Sequence, residues 1–191
     1  MQWHGRFEEF NEGVARMYRF AELALRWAYS LTARIVRSAV PSPARVLEVG
    51  PGTGVLMNML SASGYYVIGV DASLPMLRRA RRLWKPDIIN GVSLSLPLVD
   101  DYFDAAVAMF TLHHWGDYDT SLRSLHRVLR RHAAFIVVEF DGDRVGWSMG
   151  HSCSAKCLLD ALSPYFDVVI RRRFPLIMAI ARRLDSPALG T

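Results

Sequence analysis

The segment Glu48-Val49-Gly50-Pro51-Gly52-Thr53-Gly54 restricts this chain more than any other. It follows the β-rich run Arg45-Val46-Leu47-Glu48-Val49 and precedes a helical pattern over residues 55–63. Alternating glycines permit a tight turn and let a ligand approach the backbone closely, while the start of the following helix offers N–H groups without partners. A nucleotide-like ligand suits such a loop. The dinucleotide fingerprint G-x-G-x-x-G would need a glycine where Val55 stands, and an ATPase-type phosphate loop would need a Gly-Lys-Ser/Thr that does not follow. The nicotinamide, flavin and ATPase readings lose their support.

The next strand, residues 66–70, ends at Asp71. An acid at that position can accept hydrogen bonds from both hydroxyls of a ribose, or it can cap the helix that starts near Leu74. Taken alone, Asp71 fits both roles. Beyond it, residues 75–84, 119–130 and 154–162 carry helical patterns, and residues 87–89, 103–110 and 134–140 read as strands. The tail offers two extended runs, 167–174 and 176–183, joined at Pro175 with no room for a crossover helix, so they should pair antiparallel. This alternation predicts an α/β protein: one doubly wound, Rossmann-like, seven-stranded sheet, mostly parallel with an antiparallel C-terminal hairpin, and helices on both faces.

At 191 residues, 51% of them hydrophobic and 21% charged, the chain is expected to form one domain, residues 1–191. Residues 11–40 have helical character, with an arginine-rich face on Arg16, Arg19, Arg26, Arg34 and Arg37 and an apolar face that includes Met17, Tyr18, Trp27 and Ile35. A helix laid on the sheet is the first reading of that segment and a membrane-surface helix the second. Charged residues interrupt every apolar stretch that could span a bilayer. Glu8 and Glu9 stand where an export signal would need its apolar centre, so a cytoplasmic location is expected. Net charge is +5, and arginine supplies 21 of the 23 cations, which permits an anionic partner without naming one. Cys153 and Cys157, four apart in a predicted helix, read as two buried thiols, because a zinc site would need further ligands.

With these residues in view, the sequence resembles the class I S-adenosylmethionine-dependent methyltransferases, in particular the small-molecule branch of ubiquinone- and menaquinone-type enzymes. The resemblance rests on Val46–Gly54, on Gly69-Val70-Asp71-Ala72-Ser73 with Met76-Leu77, and on Leu96-Pro97 ahead of Phe103-Asp104. It continues through Leu112-His113-His114 and Arg127-Val128-Leu129. Together these pieces cover residues 45–140.

The resemblance implies roles. Glu48 and the loop Gly50, Pro51, Gly52 and Gly54 would surround the methionine part of S-adenosylmethionine, and Asp71 would hold its ribose. Ala72 and Met76 would line the adenine, and Phe110 would pass beneath the sulfonium. The family often has an acid after the third strand's glycine, but Gly91 is followed by Val92 and Ser93, which leaves adenine recognition to backbone groups or Ser93. The usual Pro-Gly-Gly turn is replaced by Arg131-His132-Ala133. Residues 1–40 would form a helical lid over a cofactor-binding core of residues 41–191, and no metal is implied.

Transfer from a sulfonium is an in-line displacement of a good leaving group, so alignment matters first and a base only where the acceptor holds a proton. His113 and His114, at the mouth of the site, are the best candidates for that base. Structural roles for the two rings are an equal alternative, with Glu139, Asp141 and Tyr18 as further candidates. Methylation of a small or lipid-like acceptor is the leading reading. An RNA (tRNA) methyltransferase and a non-catalytic S-adenosylmethionine-binding protein are the alternatives. Against nucleic acid, the Asn/Asp-Pro-Pro-aromatic run of amino-group base methylases is absent.

Overall fold

A computed structural model of the chain describes residues 23–84, 87–145 and 152–187. The elements run α1 (Arg26–Ala39), β1 (Arg45–Val49), α2 (Val55–Ser61), β2 (Tyr66–Asp71), α3 (Leu74–Trp84), β3 (Asp87–Asn90) and β4 (Phe103–Met109). A single 3₁₀ turn at Leu112–His114 leads to α4 (Tyr118–Val128), β5 (Leu129–Phe140), α5 (Ala155–Leu162), β6 (Phe166–Arg173) and β7 (Leu176–Arg183). The seven strands form one sheet in the order β3-β2-β1-β4-β5-β7-β6. Neighbours from β3 to β5 pair parallel, and β7 runs antiparallel to both β5 and β6. The predicted doubly wound architecture and its closing hairpin are therefore present.

Strands β1 and β4 and the Ala133–Val138 part of β5 are buried on both faces, which is why they read as near-continuous apolar runs instead of alternating ones. Their side chains divide between two cores. On one face Ala28, Ala33 and Val36 of α1, Leu56 and Leu60 of α2, and Leu77 and Ala80 of α3 pack with Val46, Ala105, Val107 and Ile136. On the other, Leu122 and Leu125 of α4 and Leu158 and Leu162 of α5 pack with Leu47, Ala106, Phe135 and Val137. The α1 stripe that meets the sheet is narrower than the apolar face predicted for it, and Trp27 remains 39% exposed.

Charge divides along the same lines. From Arg26 to Trp84 there are eight arginines and two carboxylates: Glu48, buried next to the last residue of β1, and Asp71, half-buried at the end of β2. Arg26, Arg34, Arg37, Arg78 and Arg81 are exposed. Among the described residues, no helix is long and apolar enough to cross a membrane.

The structure departs from the sequence reading at two further places. The helix read over residues 119–130 stops at Val128, and β5 begins at Leu129, which pairs with Phe103. A register shift beyond Phe103, together with positive φ at His132, lets the polar stretch Arg130-Arg131-His132 belong to the strand. Cys153 and Cys157 are joined by a disulfide with Cα atoms 5.7 Å apart, so the expectation of two buried thiols is corrected. Cys153 lies outside the helix, before the Ser154 cap, where its backbone bridges Asp141. That position brings it to Cys157, in the first turn of α5, at a separation a disulfide can span. Tyr18 and the first part of the segment read as a lid, as a helix on the sheet or as a membrane-surface helix fall on residues 1–22, outside the described residues; in its second part, α1 packs on the sheet through Ala28, Ala33 and Val36.

Candidate functional site

In an open α/β sheet the carboxyl ends of the strands form the edge where ligands bind. Here that edge gathers Glu48 from β1, Asp71 from β2, Val92 and Ser93 after β3, Phe110 after β4 and Glu139 near the end of β5. The glycine loop runs along it. Gly50, Gly52 and Gly54 all have positive φ, at 77°, 56° and 82°, so the turn uses the conformation that side chains resist. Gly50 N–H continues the ladder to the Val70 carbonyl at 2.8 Å, and Gly54 N–H closes a turn on Pro51.

Asp71 ties this loop to the next strand. One of its carboxylate oxygens accepts from Gly52 N–H at 2.9 Å and the other from Ser73 N–H at 2.8 Å. The ribose role is geometrically open, because each oxygen keeps a second lone pair for a hydroxyl, whereas the cap of α3 is Ser73, whose Oγ accepts from Met76 N–H at 3.4 Å. Burial raises the Asp71 carboxyl above the usual range, with the Ser73 and Gly52 N–H groups pulling it back down.

Glu48 is 2% exposed, and its Oε2 has no hydrogen-bond partner. Desolvation, then repulsion from Asp71, pushes its carboxyl up to about 8, against the Met57 N–H that favours the anion. A buried Glu48 beside a half-buried Asp71 on adjacent paired strands makes a site that a cation would relieve. S-adenosylmethionine carries an α-ammonium and a sulfonium. The orphan oxygen of Glu48, the spare acceptor capacity of Asp71 and the space before Gly52, where an added Cβ would meet nothing within 4 Å, fit such a molecule.

The adenine end is less direct. Ala72 follows Asp71, and its carbonyl accepts from Asn90 Nδ2 at 3.2 Å, while the same amide reaches the Asp71 carbonyl at 2.9 Å. Asn90 was not singled out from the sequence, although its place at a strand end beside β2 marks it. The Ser93 hydroxyl is 3.0 Å from Ser121 Oγ on α4, so it helps fasten the loop after β3 to that helix. Val92 bridges Ser95 in the same loop. Met76 is 3% exposed on the first turn of α3.

At the end of β4, Phe110 has φ 56° and stacks on Phe140 at 4.8 Å between centroids and 15° between planes. Positive φ in an aromatic residue is a strained backbone of the kind that clusters at binding sites. His113 and His114 lie together on the 3₁₀ turn with ring centroids 3.9 Å apart, and His113 Nδ1 stands 2.9 Å from Glu139 Oε2. Asp141 is held instead by Arg172, through Nε at 3.0 Å, which makes it a structural anchor of the β5 end.

This strand order, with a glycine loop after β1 and an acid closing β2, defines the class I S-adenosylmethionine-dependent methyltransferase fold. Residues 47–137 match the family model described as a methyltransferase domain, for which S-adenosylmethionine is the implied cofactor. The chain is 40% identical to a demethylmenaquinone methyltransferase of Corynebacterium kroppenstedtii, over 52% of this chain and 44% of that relative. It is 36% identical to one from Thermus thermophilus, over 52% of this chain and 48% of that one. The chain therefore spans about half the length of these curated relatives. A S-adenosylmethionine-dependent methyltransferase structure from Corynebacterium glutamicum superposes with TM-score 0.73 at 16% identity, covering 91% of this chain and all of that one. One from Aquifex aeolicus gives 0.65 at 18% identity, covering 80% and 89%.

Proposed function

We propose that residues 1–191 act as one methyltransferase domain that moves the S-adenosylmethionine methyl group to a small, quinone-like acceptor, with residues 1–40 covering the acceptor. The observation that carries this reading is the pair Glu48 and Asp71, two desolvated carboxylates on neighbouring strand ends joined by the glycine loop. When bound, S-adenosylmethionine supplies an electrophilic methyl carbon on a positively charged sulfur.

The chain's residues then have distinct tasks. Glu48 becomes the counter-ion of the amino-acid end, the backbone at Gly50, Pro51, Gly52 and Gly54 lets it lie close, and Asp71 accepts from the ribose. Ala72, Met76, Val92 and Ser93 line the adenine. Phe110, braced by Phe140, offers a flat apolar wall to a planar acceptor, and His113 or His114 receives its proton. The named activity of the 40% identical relative supports a quinone-type ring as that acceptor.

Isothermal titration with S-adenosylmethionine and its demethylated product tests the first half, with micromolar binding of both expected. Radiolabelled methyl transfer to a short-chain demethylmenaquinol tests the second. Folded protein that binds neither cofactor form would end the proposal. Binding without transfer to that quinol or to any cell extract would favour the non-catalytic alternative. Transfer to bulk tRNA, with steeply salt-dependent binding, would replace the small acceptor by RNA.

A further inference from the structure

Glu139 is fully buried, which is costly for a carboxylate unless hydrogen bonds compensate it. It has two compensating contacts, and both lie on the turn after β4. Its Oε1 accepts from Leu112 N–H at 2.8 Å, and its Oε2 stands 2.9 Å from His113 Nδ1. Leu112 N–H is the first backbone donor of a turn whose Thr111 cap makes no side-chain bond to it, so the carboxylate does the work of a cap from the neighbouring strand. One side chain of β5 thus sets both the position of the turn and the rotation of the His113 ring.

The chemistry of the contact also selects a tautomer. An ionised carboxylate only accepts, so Nδ1 must carry the hydrogen, and in a neutral ring the lone pair then resides on Nε2. Both Glu139 oxygens thus face donors, Leu112 N–H on Oε1 and the His113 ring on Oε2, which is the pairing a buried anion requires.

We infer that Glu139 is a positioning residue that holds His113 as the Nδ1–H tautomer, making Nε2 the base toward an acceptor bearing a phenol- or quinol-type hydroxyl. The inference rests on the methyltransferase reading and narrows its substrate to the reduced, hydroxyl-bearing ring. The acceptor O–H bond breaks and its proton goes to Nε2, while the electron pair left on oxygen delocalises to the ring carbon. That carbon bonds the methyl group as the C–S bond breaks and its electron pair stays on sulfur. The ring carbon then loses its own proton to water as the imidazolium returns one to oxygen, which restores the aromatic hydroxyl with a net release of one proton. No oxidant or reductant is consumed.

Two kinds of measurement test this. Nitrogen-15 ring spectra of ligand-free protein report the tautomer without turnover: His113 is expected as Nδ1–H in the native protein and to lose that signature in Glu139→Gln, whose amide can present a donor to Nδ1. With short-chain demethylmenaquinol, Glu139→Gln and His113→Asn should each lower kcat by about a hundredfold or more. KM should stay within about threefold, and the double variant should be no worse than either single one. Raising the assay pH toward the ionisation of the quinol hydroxyl should narrow the gap between both variants and the native protein, because an ionised acceptor needs no base. His113→Asn leaves the Glu139–Leu112 contact intact, so it carries the test if Glu139→Gln misfolds. A native Nε2–H tautomer, an unchanged kcat or additive losses would overturn the inference. Native protein that binds S-adenosylmethionine yet does not methylate the quinol would overturn the base role, with the tautomer still deciding the positioning role.

Discussion

A Cβ placed on Gly50 would lie 2.2 Å from Thr111 Oγ1, so the loop after β1 and the turn after β4 are packed to the limit of a missing side chain. Two sites that are far apart in sequence are therefore mechanically one. Gly52, two residues away in the same loop, has open space in the equivalent direction.

Gly50→Ala and Gly52→Ala should consequently fail in different ways. The first combines a clash with positive φ and should cost about 2–4 kcal/mol of stability. The second bears mainly the left-handed penalty of about 1 kcal/mol, but its methyl group enters the space assigned to the ligand. Denaturant melts and titration calorimetry should show Gly50→Ala losing stability most, and Gly52→Ala staying folded with at least tenfold weaker S-adenosylmethionine binding.

Glu48 predicts a pH signature in the ligand-free protein. Its carboxyl titrates at about 8 when folded against a model value of 4.5, so the native state holds a proton that the unfolded state has released between those limits. The stability this proton confers is complete below the lower value and is lost as pH rises through about 8, a change on the order of a few kcal/mol. Glu48→Gln should flatten that part of the stability curve. Cationic S-adenosylmethionine favours the ionised form, so its affinity should rise with pH up to about 8 in the native protein and lose that dependence in the variant. Urea titrations and calorimetry over pH 5–9 measure both.

Phe110 separates backbone from ring. Replacement by Gly relieves the positive φ, worth about 1 kcal/mol, but removes the partner of Phe140. Phe110→Gly should lie within about 1 kcal/mol of native stability while KM for a quinol acceptor rises roughly tenfold or more, as expected for lost apolar burial. Steady-state kinetics with short-chain demethylmenaquinol, beside a thermal melt, would show whether the two effects part in this way.

The elements that local pattern could reveal were legible from the sequence. The glycine loop and Asp71 sit at strand ends whose apolar runs are continuous, and the tail hairpin follows from the short link at Pro175. What escaped depends on register between distant segments. Glu139 meets His113 across 26 positions, and Gly50 meets Thr111 through β1 and β4 pairing. Ser93 finds Ser121 only because α4 lies over the loop after β3. The disulfide was hidden by the helix assumption: Cys153 looked like part of α5 but lies just before its cap. The start of β5 was hidden by its arginines, which have the composition of a helix end but sit in a strand.

Of the eight arginines between Arg26 and Trp84, Arg26, Arg34, Arg37, Arg78 and Arg81 are exposed on α1 and α3, while the segment's carboxylates, Glu48 and Asp71, are buried and half-buried at the sheet edge. Among the described residues, the outer layer of helices on that side is thus nearly unipolar, with a field that reaches about 8–10 Å in physiological salt. Any polyanion or negatively charged boundary will turn the molecule before touching it, and that torque should weaken as ions are added.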